Sequence, residues 1–157
     1  MSQTFDFVSN EDKPALIAFS SPEWLEEART ALVELGYKVH TAATHSDFLM
    51  RFSQAHYQVV LVEELFGANT PDENVTLKVL KNMPVNQRRH ATILLIGNSF
   101  QTFTPMEAFK NSVHAVINSS EMFLLKQLVE KAVADNSLFL QSYREVQNRI
   151  AASGTRA

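Results

Sequence analysis

The sequence predicts an α/β fold in which helices cover both faces of a five-stranded parallel sheet. Apolar runs of strand length alternate along the chain with segments whose apolar residues recur at helical spacing. Three of the apolar runs contain no polar break, which is typical of strands buried on both faces. Such strands pair in parallel through helical crossovers, and the predicted architecture is therefore an open, doubly wound sheet.

The first half of the chain provides three strands and two helices. The apolar run 15–19 predicts the first strand. Ser21 and Pro22 then start a helix, because serine caps a helix N-terminus and proline fits its first turn. Gly36 ends this helix. The other elements of this half are a half-buried strand at 37–42, an amphipathic helix at 44–55 and a buried strand at 58–63.

The second half repeats the alternation and ends on a long helical pattern. Its predicted elements are a helix around 74–82, a buried strand at 91–97, a short helix opened by Pro105, a strand at 113–118 and a helix from Glu121 to about Ile150. No repeat or linker divides the domain. The predicted organisation is an N-terminal tail (1–13), one domain (14–134), a C-terminal helical extension (135–152) and a frayed tail (153–157).

The composition excludes several classes of function. The chain has a net charge of -3, which argues against nucleic-acid binding, and it contains no cysteine for disulfides, thiol catalysis or thiolate metal sites. Its apolar runs are too short to span a membrane, and its polar start does not resemble a signal peptide. With no glycine-rich phosphate-binding pattern, no cofactor is predicted. We expect a cytoplasmic protein.

Two carboxylates, Glu63 and Glu64, directly follow the third buried strand. One interpretation is an acid/base pair, but neighbouring residues of a strand point to opposite faces. The other interpretation is a solvated strand exit, which the sequence favours because no histidine or lysine is predicted nearby. The five histidines are scattered and do not form the paired arrangement of a zinc site. Neither a metal site nor an enzymatic activity is predicted.

Three stretches resemble the receiver domains of bacterial two-component response regulators. They are ALIAFSSPEWLEEARTALVELGYKVHTA (15–42), YQVVLVEELFG (57–67) and AFKNSVHAVINSSE (108–121). In them the apolar positions, Gly36, Tyr37 and the strand-to-helix spacings fall where a receiver has them. The resemblance covers residues 14–134. It implies a flavodoxin-like, three-layer fold with strand order 2-1-3-4-5 and a site at the carboxyl ends of the strands.

The resemblance also implies a set of groups for phosphoryl transfer, and this chain departs from it. A receiver uses an acidic pair for Mg²⁺, a phospho-accepting aspartate, a hydroxyl residue and a lysine followed by proline. These positions fall on Phe19 and Ser20, on Glu63, on Ile96 or Gly97, and on Ser119 followed by Ser120. Without the Mg²⁺ ligands and the lysine, charge on a transferring phosphoryl group is not compensated. The prediction is a degenerate pseudo-receiver.

Two alternatives keep a role for the degenerate pocket. In the first, Glu63 mimics a phosphorylated aspartate and holds the domain in one state. In the second, the pocket binds a small ligand or nucleotide among Ser20, Glu63, Gly97, Asn98 and Ser119. Under either alternative the chain acts without phosphorylation.

A protein-binding surface is implied by the same resemblance. Receivers usually signal through the face formed by the fourth helix, the fifth strand and the fifth helix. In this chain that face contains Met106, Phe109, Lys110, Val113, His114 and Val116, and the loop before it adds Phe100 and Phe103, which we expect to be exposed. The implied partners are proteins, such as a kinase, a regulator or a motility or polarity component.

The last predicted helix carries a heptad pattern. Its seam residues are Leu125, Val129, Ala132, Asn136, Phe139, Tyr143, Val146 and Ile150. We expect the part from Asn136 to Ile150 to form a homodimer or to bind a partner. The alternative is that this part folds back onto its own domain.

Overall fold

The structure is a computed structural model that describes residues 12–88 and 90–154, apart from the side chains of 139–144 and 152–154. It contains a five-stranded parallel sheet in the order β2-β1-β3-β4-β5. The strands are β1 (Pro14–Ala18), β2 (Lys38–Ala42), β3 (Val59–Glu63), β4 (Thr92–Gly97) and β5 (Ala115–Asn118). The predicted flavodoxin-like fold and its strand order are confirmed.

Helices connect the strands on both faces of the sheet. In the described part of the chain they are α1 (Pro22–Glu34), α2 (His45–Gln54), α3 (Val75–Asn82), α4 (Val85–Arg88), α5 (Pro105–Lys110) and α6 (Leu125–Gly154). The sequence did not predict the single turn α4. The last helix also differs, because a 3-10 turn at Ser119–Leu124 precedes α6. Asn118 accepts a hydrogen bond from the Ser120 N–H at 2.9 Å, which favours this tight first turn.

Side-chain caps fix where the helices begin. The Ser21 hydroxyl accepts from the Trp24 N–H at 3.4 Å at the start of α1, as predicted. Thr44 caps α2 in the same way, accepting from the Asp47 N–H at 3.1 Å. Gly36 follows α1 with a φ of 88°, a left-handed conformation that glycine adopts without steric cost.

Alternation along the strands divides the core into two layers. Val60 and Val62 of β3 face α2, α3 and α5, whereas Val59 and Leu61 face α1 and α6. All four residues are fully buried. The helices therefore cover the sheet on both sides and leave its polar groups at the ends of the strands.

The heptad seam of α6 is divided between the core and solvent. Leu125, Val129 and Ala132 are buried against the sheet. Asn136 is buried as well, and its Nδ2 donates to Thr92 Oγ1 at 2.9 Å. The predicted seam is therefore interrupted at Asn136, whose amide satisfies a polar group at the start of β4 in its own domain.

The distal part of the seam is exposed where it is described. Val146 is 52% exposed and Ile150 is 66% exposed. The side chains of Phe139 and Tyr143, also predicted for oligomerisation, lie outside the described residues.

His114 joins the start of β5 to β4. The backbone N–H of His114 donates to the Ile93 carbonyl at 2.8 Å. The backbone N–H of Ile93 donates in turn to the ring nitrogen Nδ1 of His114 at 2.9 Å. Although the residue as a whole is exposed, Nδ1 is enclosed by this contact, and the proton of the neutral ring is on Nε2. Burial, and then the nearby Arg88 guanidinium, lower the pKa of His114 to about 4.

The lowered pKa of His114 predicts a loss of stability in acid. An unfolded histidine titrates near pH ~6.5, so the native state binds fewer protons than the unfolded state between pH ~6.5 and about 4. The free energy of unfolding is expected to fall over this range. In the His114→Asn variant, whose side-chain oxygen can still accept from Ile93, the decline should be smaller. Urea denaturation at pH 7.5 and 4.5 measures it, and equal declines in both proteins would contradict the prediction.

Candidate functional site

The carboxyl edge of the sheet brings together most of the predicted pocket residues. The strand register places Glu63 beside Ile96, and Gly97 beside Asn118. Ser20 reaches the same edge through the loop between β1 and α1. The chain positions with which a receiver builds its site therefore lie next to one another here.

The Glu63 carboxylate binds backbone amides of the first loop. Its Oε1 accepts from the Ser20 N–H at 2.6 Å and from the Ser21 N–H at 3.1 Å. These amides lie at the N-terminus of α1, where the helix dipole favours a negative charge. The Ser20 hydroxyl in turn accepts from the Gly67 N–H at 2.9 Å. Glu63 and Ser20 thus join the loop after β1 to the loop after β3.

The neighbouring carboxylate, Glu64, turns toward β4 and is buried, with 7% of the residue exposed. The Ser99 hydroxyl lies 2.5 Å from Oε1 and 2.6 Å from Oε2 and donates to this carboxylate. The Glu64 N–H donates to the Ile96 carbonyl at 2.8 Å, which continues the β3–β4 pairing past the strand end. The two adjacent carboxylates therefore have different partners and do not converge on one atom.

Glu64 fills the space beside Gly97 that a side chain at this position would need. A Cβ built on Gly97 would lie 2.8 Å from the Glu64 Cβ and even closer to its Oε1. Real Cβ atoms essentially never approach other heavy atoms this closely. A hydroxyl residue at position 97 is therefore incompatible with the position of Glu64.

Asn74 holds the end of β3 and was not identified as a site residue from the sequence. It is fully buried, and its Nδ2 donates to the carbonyls of Glu63 at 3.1 Å and Glu64 at 3.0 Å. Its Oδ1 accepts from the Leu77 N–H at 3.1 Å and caps α3. The available signal was an asparagine directly before a helical pattern, which is a common N-cap.

Asn118, and not Ser119, is the last residue of β5. Its Nδ2 donates to the Phe100 carbonyl at 2.7 Å, and its N–H donates to Thr102 Oγ1 at 2.9 Å. By the rule that the lysine of a receiver ends the fifth strand, the equivalent position in this chain is Asn118. Its neutral amide holds the loop after β4 in place and brings no charge to the pocket.

Two of the predicted pocket residues are core residues. Phe19 is 4% exposed and packs in the layer beneath α1, and Ile96 is fully buried in β4. Neither side chain offers a polar group. In the described residues, no group of three or more histidine, cysteine, aspartate or glutamate side chains could hold a metal ion. No described helix is long and apolar enough to cross a membrane.

The predicted protein-binding residues separate into exposed and buried sets. Met106 is 75% exposed and Phe109 is 82% exposed on α5. Phe100 and Val116 are buried at 6% and 0%, so the prediction that they are available to a partner is wrong. Phe103 is partly buried, with a left-handed φ of 60°, and its N–H donates to the Val116 carbonyl at 2.9 Å.

A groove of about 490 Å³ lies between α5, β5 and α6. Its lining is mostly apolar on the α5 side, with Lys131 and Asp135 on α6. These two side chains form an ion pair at 2.9 Å, and Lys131 Nζ lies 5.6 Å from the centre of the Phe103 ring. The lining residues are Phe103, Thr104, Pro105, Ala108, His114, Ala115, Lys131, Ala132, Asp135 and Asn136.

No protein-family model matches the sequence, and no curated protein matches it significantly. Solved structures do resemble its fold. The chemotaxis response regulator CheY4 of Vibrio cholerae superposes with a TM-score of 0.60 over 77% of this chain and 98% of that chain, at 17% identity. A CheY-like receiver domain protein of Methanospirillum hungatei has a TM-score of 0.61 over 80% and 97%, at 16% identity.

Another solved structure superposes on a larger share of this chain. NtrX of Brucella abortus superposes with a TM-score of 0.62 and 16% identity over 91% of this chain, which corresponds to 30% of that chain. At these identities the comparisons show the fold alone. The structural neighbours of the chain are thus response-regulator receiver domains.

Substitution of Gly97 tests whether Glu64 fills the pocket. Gly97→Ala should lower the free energy of unfolding by about 2 kcal/mol, because the added methyl group overlaps the Glu64 side chain. In a Glu64→Gly background, which removes the Glu64 Cβ together with the carboxylate, the same substitution should cost much less. Guanidinium denaturation of the wild type, both single variants and the double variant measures the coupling. Equal costs in the two backgrounds would show that Glu64 does not occupy this space.

Proposed function

We propose that this chain is a pseudo-receiver of two-component ancestry that acts without phosphorylation or catalysis, through contacts with other proteins. The proposal assigns residues 14–134 to the pseudo-receiver domain and 135–152 to a helical extension that supports self-association. It also places the protein in the cytoplasm. The receiver-like fold supports the ancestry, and the contacts at the carboxyl edge of the sheet support the loss of phosphotransfer.

The observation that carries this proposal is the hydrogen bonding of Glu63. Its Oε1 accepts from the Ser20 and Ser21 amides, so a protein group already neutralises part of its charge. Phosphoryl transfer needs a free acceptor and cations around the transferred group. The positions that supply Mg²⁺ ligands in a receiver hold Phe19, which is a core residue, and Ser20, whose hydroxyl binds the Gly67 amide.

The same contacts weigh against the two alternatives for the pocket. A ligand or nucleotide would have to displace the Glu64 carboxylate beside Gly97 and break its contact with Ser99. A phosphoaspartate mimic would engage the hydroxyl that follows β4, but Glu63 binds the loop after β1. The carboxylate that accepts from a hydroxyl after β4 is Glu64.

The α5 surface is the proposed site for a protein partner. Met106 and Phe109 are both largely exposed within one short helix. Large apolar side chains exposed side by side are costly in water and are typical anchors of an interface. A signalling protein such as a kinase, a regulator or a motility or polarity component fits this role.

The absence of phosphotransfer is tested with a chemical phosphate donor. Incubation with radiolabelled acetyl phosphate and Mg²⁺ should leave the wild-type chain and the Glu63→Gln variant equally unlabelled, because the acceptor is hydrogen-bonded and the cation ligands are missing. A chemotaxis response regulator labelled in parallel shows that the donor is active. Stable labelling of the wild type that Glu63→Gln abolishes would overturn the proposal.

The partner surface is tested by placing a charge on α5. Phe109→Asp should reduce capture of protein partners from a native lysate at least tenfold, because the anchor side chain is replaced by a hydrated carboxylate. Val33→Asp is the matched control, since Val33 is 57% exposed on α1, on the other side of the sheet. Circular dichroism of both variants checks that they are folded. Equal partner recovery with Phe109→Asp and the wild type would exclude this surface.

A further inference from the structure

We infer that two copies of this chain associate through antiparallel α6 helices, with the distal end of each helix lying in the groove between α5 and α6 of the other copy. The inference rests on the proposed self-association and specifies its geometry. It concerns the groove and the exposed end of the same helix, two apolar surfaces that are separate within one chain.

The exposed residues and the groove lie on the same side of α6. Ala132 and Asn136 line the groove, and Val146 and Ile150 each follow one of them by fourteen residues. Fourteen residues are close to four helical turns and about 21 Å along the axis. Val146 and Ile150 therefore project in the same direction as the groove-lining positions, but beyond the domain.

The chemistry of the groove matches the distal end of α6. Phe103, Pro105 and Ala108 give one wall an apolar surface. Val146 and Ile150 are aliphatic, and both are more than half exposed in the single chain. Placing them in the groove removes both apolar surfaces from water in one contact.

Charged residues favour the antiparallel orientation. Asp135 precedes Asn136 at the rim of the groove, and Arg149 precedes Ile150 at the distal end. The two residues are fourteen positions apart and so lie on the same side of α6, beside the groove, and antiparallel packing along the groove brings one next to the other. Arg149 of one copy then lies beside Asp135 of the other. In a parallel coiled coil, flanking positions meet across an offset of five residues, which would place Arg149 beside Gly154, a residue without charge.

A parallel pair would also be short. Asn136 is already hydrogen-bonded to Thr92, so a parallel seam could begin only after it and would contain about two heptads up to Ile150. Helices of this length are marginal without further packing. The antiparallel arrangement adds that packing, because each helix end is covered by the domain of the other copy.

Engineered cysteines test this geometry, since the natural chain contains no cysteine. Asp135→Cys and Arg149→Cys are prepared as separate full-length proteins, mixed and oxidised. Antiparallel pairing should give a disulfide-linked dimer in the mixture and none in either protein alone, because identical positions lie about 21 Å apart along the axis. A mixture of Ser137→Cys with Arg149→Cys is the control and should stay uncrosslinked, since position 137 lies on the opposite side of α6.

Two further measurements distinguish a chain that does not self-associate from one that self-associates in another orientation. Light scattering of the unmodified chain should give a dimer, and a monomeric mass at all accessible concentrations would remove both the self-association and its geometry. A parallel pair would crosslink Val146→Cys with itself, because its seam positions face one another. A dimeric mass together with the Val146→Cys crosslink would overturn the antiparallel arrangement but not self-association. A dimeric mass without the mixed crosslink of Asp135→Cys and Arg149→Cys would have the same consequence.

Discussion

Burial of the central strands on both faces is the constraint on which the rest of the structure depends. Val59 to Val62 of β3 are fully buried, so helices must cover both sides of the sheet and the strands must run in parallel. This brings the carboxyl ends of β1, β3, β4 and β5 to one edge of the sheet. Polar side chains, which the buried strands exclude, can be accommodated at this edge. Glu63 and Glu64 follow the buried run at that edge, and their charges have to be stabilised locally.

The chain stabilises the two carboxylates by separating them. Glu63 binds amides at the start of α1, and Glu64 binds Ser99 after β4, while Asn74 holds the carbonyls of both. Each of these contacts joins β3 to a different loop. The contacts at this edge make it a junction between loops, which agrees with the protein-binding role proposed for the surfaces of α5 and α6.

The sequence predicted the fold well because the fold depends on periodicity and caps. Buried runs identified the strands, and Ser21, Pro22 and Gly36 marked the limits of α1. The site was predicted less completely, because hydrogen-bond partners distant in sequence leave no local pattern. Examples are the pairing of Glu64 with Ser99 and of Asn136 with Thr92. Phe100 was expected to be exposed because loops usually are, but the loop after β4 folds over the end of β5 and buries it.

The packing of Glu64 over Gly97 also limits which mutational routes are open to this chain. A hydroxyl residue at position 97 overlaps Glu64, and loss of Glu64 alone leaves a buried cavity and deprives Ser99 of its acceptor. The order of the substitutions therefore matters, and the first step in either order costs stability. Acquisition of receiver-like chemistry would need both substitutions before any new carboxylate or lysine could contribute, so every single-substitution route through this position first lowers stability.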